Sequence, residues 1–197
     1  MREAPVTLRG TTLQGTNITL RPPVPDDADD LYPATHGDPT REGVWTYMGY
    51  GPWSDKPAFV TWIAERAASR DPLWFTVERN AKAVGMATMC NYDPVHRRIE
   101  LGHIWYVPAA QRTGVNTETI YLLLKHCFEE YQTRRVEWKC DSLNERSRAA
   151  ALRLGFQFEG IFRQHMIVKG RNRDTAWFGM TDGDWPEVEA RLRARLT

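Results

Sequence analysis

The sequence is poor in cysteine, with only Cys90, Cys127 and Cys140 among 197 residues. An odd number of cysteines without metal-ligand spacing argues against a disulfide framework and against a zinc or iron–sulfur site, so we expect no metal. Each cysteine stands in a strand-like or helix-like pattern as a small apolar residue, which is typical of proteins in a reducing compartment. The cysteines therefore predict a cytoplasmic protein.

Long apolar runs are also missing, because none approaches the ~20 residues of a membrane-spanning helix. Residues 1–10 lack the apolar core of a signal peptide. Lys and Arg number 26 against 25 Asp and Glu, which gives a net charge of +1 and no global attraction to nucleic acid or to a membrane surface. We expect neither nucleic acid nor a membrane as a partner, while a homodimer stays open because the sequence does not determine the oligomeric state.

Strand-like and helix-like segments alternate along the chain without an internal repeat or a linker. Runs of β-branched and aromatic residues predict strands at Asn17–Arg21, Leu73–Glu78, Val84–Tyr92, Ile99–Val107, Arg135–Asp141, Phe156–Val168 and Asp174–Thr181. Helical stripes predict two helices before the second strand, the later one capped by Ser54, and then helices from about Gly114 to Gln132, from Asn144 to Leu154 and from about Trp185. This order predicts a mixed α/β sheet in one domain, 17–182, with an N-terminal extension, 1–16, and a closing helix, 183–197.

The stretch from Ile99 to Leu124 carries the strongest functional signal. A strand that ends at Pro108 is followed by a helix that begins near Gly114, and the unpaired N–H groups at a helix N-terminus favour phosphate. Gly114 lets the backbone approach an anion closely, and the donors around it are Gln111, Arg112, Thr113, Asn116 and Thr117. An ordinary helix cap beside a surface arginine explains the same residues equally well, so this stretch alone leaves both interpretations open.

Two motifs resemble those of a known family. Residues 111–116 (QRTGVN) match the signature Q/R-x-x-G-x-G/A at a strand-to-helix junction, with Asn116 in place of the last small residue. Asn144 and Ser147, followed by LGF at 154–156 and EG at 159–160, match N-x-x-S/A before a short helix and L-G-F-x-x-E-G. In both motifs the chain resembles the GCN5-related N-acetyltransferases (GNAT), and within them the ribosomal-protein N-terminal acetyltransferases of the RimJ and RimL type.

The resemblance implies the GNAT fold, a mixed sheet of about seven strands with helices on both faces, in which the central strands Ile99–Val107 and Arg135–Asp141 splay apart. It implies acetyl-CoA as cosubstrate, with the pantetheine arm in the gap and the pyrophosphate on the loop before the central helix. The residues it places against acetyl-CoA are Ile104, Trp105, Tyr106, Val107, Gln111, Arg112, Thr113, Gly114, Val115, Asn116, Thr117 and Asn144. Asn144 also caps a helix, since a cap uses its side-chain oxygen and leaves the amide donors for the pantetheine arm.

Acetyl transfer needs a group that takes a proton from the amine and a group that returns one to the leaving thiolate. The resemblance suggests Glu100 as the base, and a structural carboxylate paired across the sheet is an equal alternative. His103, Glu159 and water are further candidates, although strict alternation puts His103 on the opposite face from Glu100 unless a bulge intervenes. Ser147 is the predicted proton donor, because it matches the N-x-x-S motif and Ala151 stands where many relatives carry a tyrosine. A helix-capping or surface serine is the alternative.

The acceptor side is less constrained by the sequence. Trp45 and Tyr47, with neighbouring Tyr50 and Trp53, either line an acceptor pocket together with His103 or form a satellite core beneath a long loop. A basic cluster near the last predicted hairpin either guides an acidic acceptor or is a solvated rim. It comprises Arg163, His165, Lys169, Arg171 and Arg173.

The two motifs predict an acetyl-CoA-dependent N-acetyltransferase, and the resemblance to the ribosomal-protein branch implies a protein N-terminal α-amino group as the acceptor. A small amine or an amino-acid derivative is the alternative acceptor. A catalytically silent acyl-CoA-binding module that regulates a partner is the rival from another class; Ala151 slightly favours that module, whereas Glu100 and Ser147 favour an enzyme. A nucleic-acid binder is disfavoured by the near-zero net charge.

Overall fold

The structure, a computed structural model, describes residues 8–196 and contains one mixed eight-stranded sheet and six α-helices. The strands are β1 (Leu13–Gln14), β2 (Thr19–Arg21), β3 (Leu73–Arg79), β4 (Lys82–Asp93), β5 (Arg98–Tyr106), β6 (Arg135–Asp141), β7 (Gln157–Val168) and β8 (Arg171–Thr181). The helices are α1 (Ala28–Thr35), α2 (Pro39–Glu42), α3 (Lys56–Ala67), α4 (Val115–Lys125), α5 (Glu145–Leu154) and α6 (Trp185–Ala194). Within the described residues the strand order is β1-β2-β3-β4-β5-β6-β8-β7, and β5 with β6 forms the one parallel pair.

This architecture confirms the predicted α/β fold with a mixed central sheet. The strand beyond the seven predicted is β1, which lies inside the predicted N-terminal extension and pairs with β2. Residues 1–7 of that extension lie outside the described residues. The prediction that Ser54 caps α3 is wrong, because the Asp55 carboxylate accepts the Ala58 N–H at 2.8 Å and so satisfies a free donor of the first turn. The central helix is α-helical to Lys125 and continues as a π-helical turn, His126–Glu130.

The parallel ladder between β5 and β6 ends before either strand does. Its last pair is Leu101 with Trp138, although both strands continue. On its other edge, β5 has two residues between Gly102 and Trp105, whereas β4 has one residue between their partners Thr88 and Met86. His103 lies inside this bulge and has a φ of 50°. A bulge bends its strand and increases the local twist, so β5 turns away from β6 here. The predicted splayed pair of central strands is thereby confirmed.

The two faces of the sheet carry different helices. We define the first face as the one that bears Glu100 and the second face as the one that bears Trp138. Helix α3 covers part of the first face, where the Trp62 ring lies 5.3 Å from the Trp74 ring. Helix α5 covers part of the second face, where Ser147 contacts Trp138. Among residues 8–196, no helix combines the length and the hydrophobicity needed to cross a membrane.

Candidate active site

The loop that leads from β5 into α4 presents a row of unpaired backbone donors. Within the described chain, none of the N–H groups from Arg112 to Thr117 donates a hydrogen bond, and the first bond of α4 runs from the Glu118 N–H to the Gly114 carbonyl oxygen. Arg112 and Gly114 have φ values of 62° and 87°. Left-handed residues in such a loop help to aim successive N–H groups into one concavity. At the positive end of a helix dipole, this row has the donors that a pyrophosphate requires.

Asn116, the departure from the family signature, is held against the end of β5. Its side-chain oxygen accepts the Tyr106 hydroxyl at 3.0 Å, and Gln111 donates its side-chain amide to the Tyr106 carbonyl oxygen at 3.1 Å. Burial raises the pKa of the Tyr106 phenol, so the hydroxyl stays protonated and donates. Both side chains therefore brace the loop while its N–H groups stay available to a ligand.

Asn144 and Ser147 lie at the start of α5 on the second face. The Asn144 Oδ1 accepts the Ser147 N–H at 3.1 Å, as in a helix cap, and its amide has no other partner in the described residues. The Ser147 Oγ accepts the Trp138 indole N–H at 3.0 Å. Since Trp138 is the last β6 residue that pairs with β5, Ser147 stands beside the start of the gap and can donate its own hydroxyl proton.

On the first face, the floor of the gap is an ion-paired cluster. Glu100 is 9% exposed, and its Oε2 accepts the Asn91 Nδ2 at 2.7 Å and the Lys139 Nζ at 2.8 Å. Lys139 Nζ also lies 3.4 Å from the Glu137 carboxylate and 3.9 Å from the centre of the Trp177 ring. Loss of one partner from such a buried pair leaves an uncompensated charge. The geometry therefore gives Glu100 a structural role. Any catalytic role of Glu100 is that of a carboxylate that stays paired with Lys139.

Glu159 is bound on both of its oxygens. Arg135 contacts them at 2.7 and 2.5 Å, and this pairing lowers the pKa of Glu159. A carboxylate that is already paired and has a lowered pKa is a weak proton acceptor. Among the candidates for the general base, the geometry therefore disfavours Glu159.

His103 lies on the first face because the bulge interrupts the alternation of β5. Its ring centre is 4.9 Å from that of Trp74 and 5.7 Å from that of Tyr50. The imidazole is exposed beside these rings, and we call the surface that His103 forms with Tyr50 and Trp74 the recess. Packing against the rings removes part of its hydration and, with the charges of Arg66 and Arg173, lowers the pKa of His103 to about 4. His103 is therefore neutral at pH 7.

Trp45 and Tyr47 have different roles. Trp45 is 1% exposed and donates its indole N–H to a backbone carbonyl at 3.0 Å, so it packs in the core. Tyr47 is half-buried and donates its hydroxyl to the Leu143 carbonyl oxygen, just after β6, at 3.0 Å. The Lys169 Nζ donates to the Trp45 carbonyl oxygen at 2.9 Å. These two bonds tie residues 43–53, which we call the strap, to the far side of the gap.

Within the described residues, three buried donor groups behind the recess form no hydrogen bond of good geometry. They are the Tyr50 hydroxyl and the indole N–H groups of Trp62 and Trp105, two residues that are 6% and 4% exposed. The Tyr50 ring lies 5.0 Å from the Trp62 ring and stacks on His103. Burial raises the pKa of the Tyr50 phenol, and an interaction with the Trp105 indole N–H partly offsets that rise. All three donor atoms are buried, so they belong to the packed wall behind the recess.

Two cations lie at the site: Lys139, which the sequence motifs did not predict there, and Arg173, which was predicted only as one of five basic residues near the last hairpin. The position of Lys139 nevertheless follows from the sequence pattern. Alternation puts it on the same face of its strand as Glu137, and parallel pairing with the neighbouring strand then brings it near Glu100. Nothing in the sequence separates Arg173 from the other basic residues of its hairpin.

The described part of the chain has no group of three or more His, Cys, Asp or Glu side chains that is suited to hold a metal ion. Cys90, Cys127 and Cys140 are all buried free thiols. Burial raises the pKa of Cys90 to about 12, so this thiol stays protonated and unreactive at neutral pH.

Known proteins share this geometry and parts of the sequence. Residues 17–157 match the family model described as an acetyltransferase (GNAT) domain. A Bacillus subtilis protein provisionally named ribosomal N-acetyltransferase YdaF is 27% identical over 172 residues, which are 86% of this chain and 93% of the relative. A solved GCN5-related N-acetyltransferase from Brucella melitensis is 35% identical, with a TM-score of 0.93 over 100% of this chain and 91% of that chain. A microcin self-immunity acetyltransferase, MccE, solved with acetyl-CoA and AMP, shares the fold at 21% identity, with a TM-score of 0.72 over 85% of this chain and 93% of its own.

Proposed function

This chain belongs to the GNAT acetyltransferase family, and we propose that it transfers the acetyl group of acetyl-CoA to the N-terminal α-amino group of a protein. The observation that carries the proposal is the gap between β5 and β6. Within the described residues, the gap has an unpaired row of N–H groups on one side and the aromatic recess at His103 and Tyr50 on the other. The ribosomal name of the Bacillus subtilis relative supports a protein acceptor.

Acetyl-CoA enters from the second face in this proposal. The N–H groups from Arg112 to Thr117 hold its pyrophosphate, and the pantetheine arm runs along the end of β5 toward the gap. The unpaired amide of Asn144 donates to that arm. The thioester then lies between Ser147 on the second face and the recess on the first face, where the acceptor amine arrives.

The chemistry needs little base strength. A protein α-amino group has a pKa near ~8, so roughly a tenth of it is neutral at pH 7 without help. The neutral amine attacks the thioester carbonyl carbon, a C–N bond forms and the C–S bond breaks. Water in the recess takes the amine proton while Glu100 stabilises the positive charge that develops on nitrogen. Ser147 gives its proton to the departing thiolate and recovers one from solvent.

The test uses purified protein, acetyl-CoA and two matched peptides, one with a free α-amino group and no lysine, the other with a blocked N-terminus and one lysine. Mass spectrometry is expected to find one added acetyl group on the first peptide only. Transfer only to the lysine peptide, or only to members of a small-amine panel, would replace the acceptor class. Acetyl-CoA binding without transfer to any acceptor would favour the silent module.

A further inference from the structure

Within the described residues, the hairpin of β7 and β8 contains one partly buried cation without an ion pair, Arg173. Arg171 pairs with Asp141, and Lys169 is bound to the carbonyl oxygen of Trp45 in the strap. Arg173, between these elements and the gap, forms no ion pair in the part of the chain that the structure describes. Its Nε is buried and has no hydrogen-bond partner. Of these cations, Arg173 is therefore the one that is available to a ligand.

Arg173 reaches the gap from the side of the recess. It lies on β8 two residues beyond Thr175, the last position paired with β6, and alternation puts it on the first face with Trp177. Its charge acts on His103 of β5 and on Cys140 of β6, the two strands that border the gap. Register and alternation therefore put Arg173 on the first face of β8, at the end of the sheet where β5 and β6 splay apart.

Four acidic side chains on β5, β6 and β7 are each already bound to another cation. The pairs are Lys139 with Glu100 and Glu137, Arg135 with Glu159, and Arg171 with Asp141. Within the described residues, Arg173 is bound to none of these carboxylates, and its Nε is buried without a hydrogen-bond partner. A partly buried cation without a partner is destabilising, so an anionic group on the bound acceptor would remove that penalty.

We propose that Arg173 binds a carboxylate of the acceptor, and that the preferred acceptor is a peptide with an acidic side chain close to its N-terminus. The inference rests on the proposed function, because the α-amino group must lie at the gap for its neighbours to reach β8. A guanidinium matches a carboxylate through two parallel hydrogen bonds, which gives direction as well as charge. The pairing selects among N-termini and takes no part in the acetyl transfer itself.

The experiment compares peptides that differ only by aspartate or asparagine at the second or third position. The wild-type kcat/KM is expected to be about 10- to 100-fold higher for the better aspartate peptide than for its asparagine twin, the span of one charge-assisted contact. Arg173→Gln is expected to remove that preference by lowering the aspartate value alone, and Arg173→Lys to keep part of it. Arg173→Glu should favour a lysine at the same position.

Arg163→Gln is the matched control, since Arg163 is exposed on the same hairpin and its loss removes the same charge. This variant should keep the aspartate preference. Acetyl-CoA affinity is measured for each variant and should stay close to the wild-type value. The melting temperature should not fall, since Arg173→Gln removes a partly buried cation that lacks a partner. A preference that falls equally in Arg163→Gln would indicate general attraction and overturn the specific contact.

Equal kcat/KM values for the aspartate and asparagine peptides in the wild type would overturn the inference and leave the proposed function intact. If no peptide is acetylated, the proposed function fails, and free aspartate and asparagine replace the peptides. A preference for aspartate that vanishes in Arg173→Gln then supports the Arg173 contact with a small acceptor, and no preference overturns it. A loss of acetyl-CoA affinity in Arg173→Gln with an unchanged peptide preference would also overturn it.

Discussion

Ser147→Ala removes a hydroxyl that serves two neighbours, and the first effect is on stability. The Ser147 oxygen accepts the indole N–H of Trp138, which is 4% exposed, so water has little access to replace it. A buried donor left unsatisfied costs about 1–3 kcal/mol. For a chain of 197 residues, this corresponds to a melting temperature lowered by about 2–12 °C. The Asn144 cap stays, because it binds the backbone N–H of residue 147.

The second effect of Ser147→Ala is on catalysis. General-acid assistance is typically worth ~10² to 10⁴-fold, so kcat is expected to fall by a factor within that span. The affinity for acetyl-CoA should change little, because the donated hydrogen bond strengthens mainly as the thiolate leaves.

The assay is steady-state transfer at saturating acetyl-CoA, with a melting curve for each variant. Trp138→Phe is the control, since it removes the indole N–H and keeps the Ser147 hydroxyl. It should lower the melting temperature and leave kcat within a few-fold of the wild type. Equal losses of kcat in both variants would indicate disturbed packing. A folded Ser147→Ala enzyme with the wild-type kcat would refute the proton-donor role and show that the thiolate leaves to water.

Three further substitutions test other parts of the site. Gly114→Glu is expected to reduce acetyl-CoA affinity strongly in calorimetry, because its carboxylate would repel the pyrophosphate. Gly114→Ala is the control for backbone strain at a φ of 87°, since a Cβ there meets no atom of the described residues within 4 Å. Tyr47→Ala should raise the acceptor KM and preserve acetyl-CoA affinity, whereas Tyr47→Phe isolates the bond to Leu143; equal losses for both substrates would indicate packing. Arg135 lowers the pKa of Glu159 in the folded state. The pair therefore stabilises the fold at pH values above the unfolded carboxylate pKa of about 4.3, and this contribution is lost as the pH falls through the folded-state pKa. Glu159→Gln should therefore flatten the fall in melting temperature between about pH 6 and about pH 2 without changing kcat at neutral pH, and an unchanged slope contradicts the pairing.

The sequence by itself determined the features that depend on neighbours a few residues away. Pro108 and Gly114 mark the end of β5 and the start of α4, Asn144 caps α5, and Gly155 ends it with a φ of 103°. Caps, turns and apolar stripes arise from local backbone geometry, which is why the order of elements and the row of N–H groups before α4 were predictable. The Ser54 prediction failed at this same level, because Asp55 is an equally good cap one residue later.

Only the tertiary structure decided how side chains from distant strands meet. One extra residue in β5 moves His103 to the face of Glu100, and alternation alone has no means of locating such a bulge. Whether Glu100 is paired depends on Lys139 from β6, and whether Arg173 lacks a partner depends on every charge near the gap. These properties follow from strand register and from burial, which are set by contacts between residues far apart in the chain and are not encoded in any short motif.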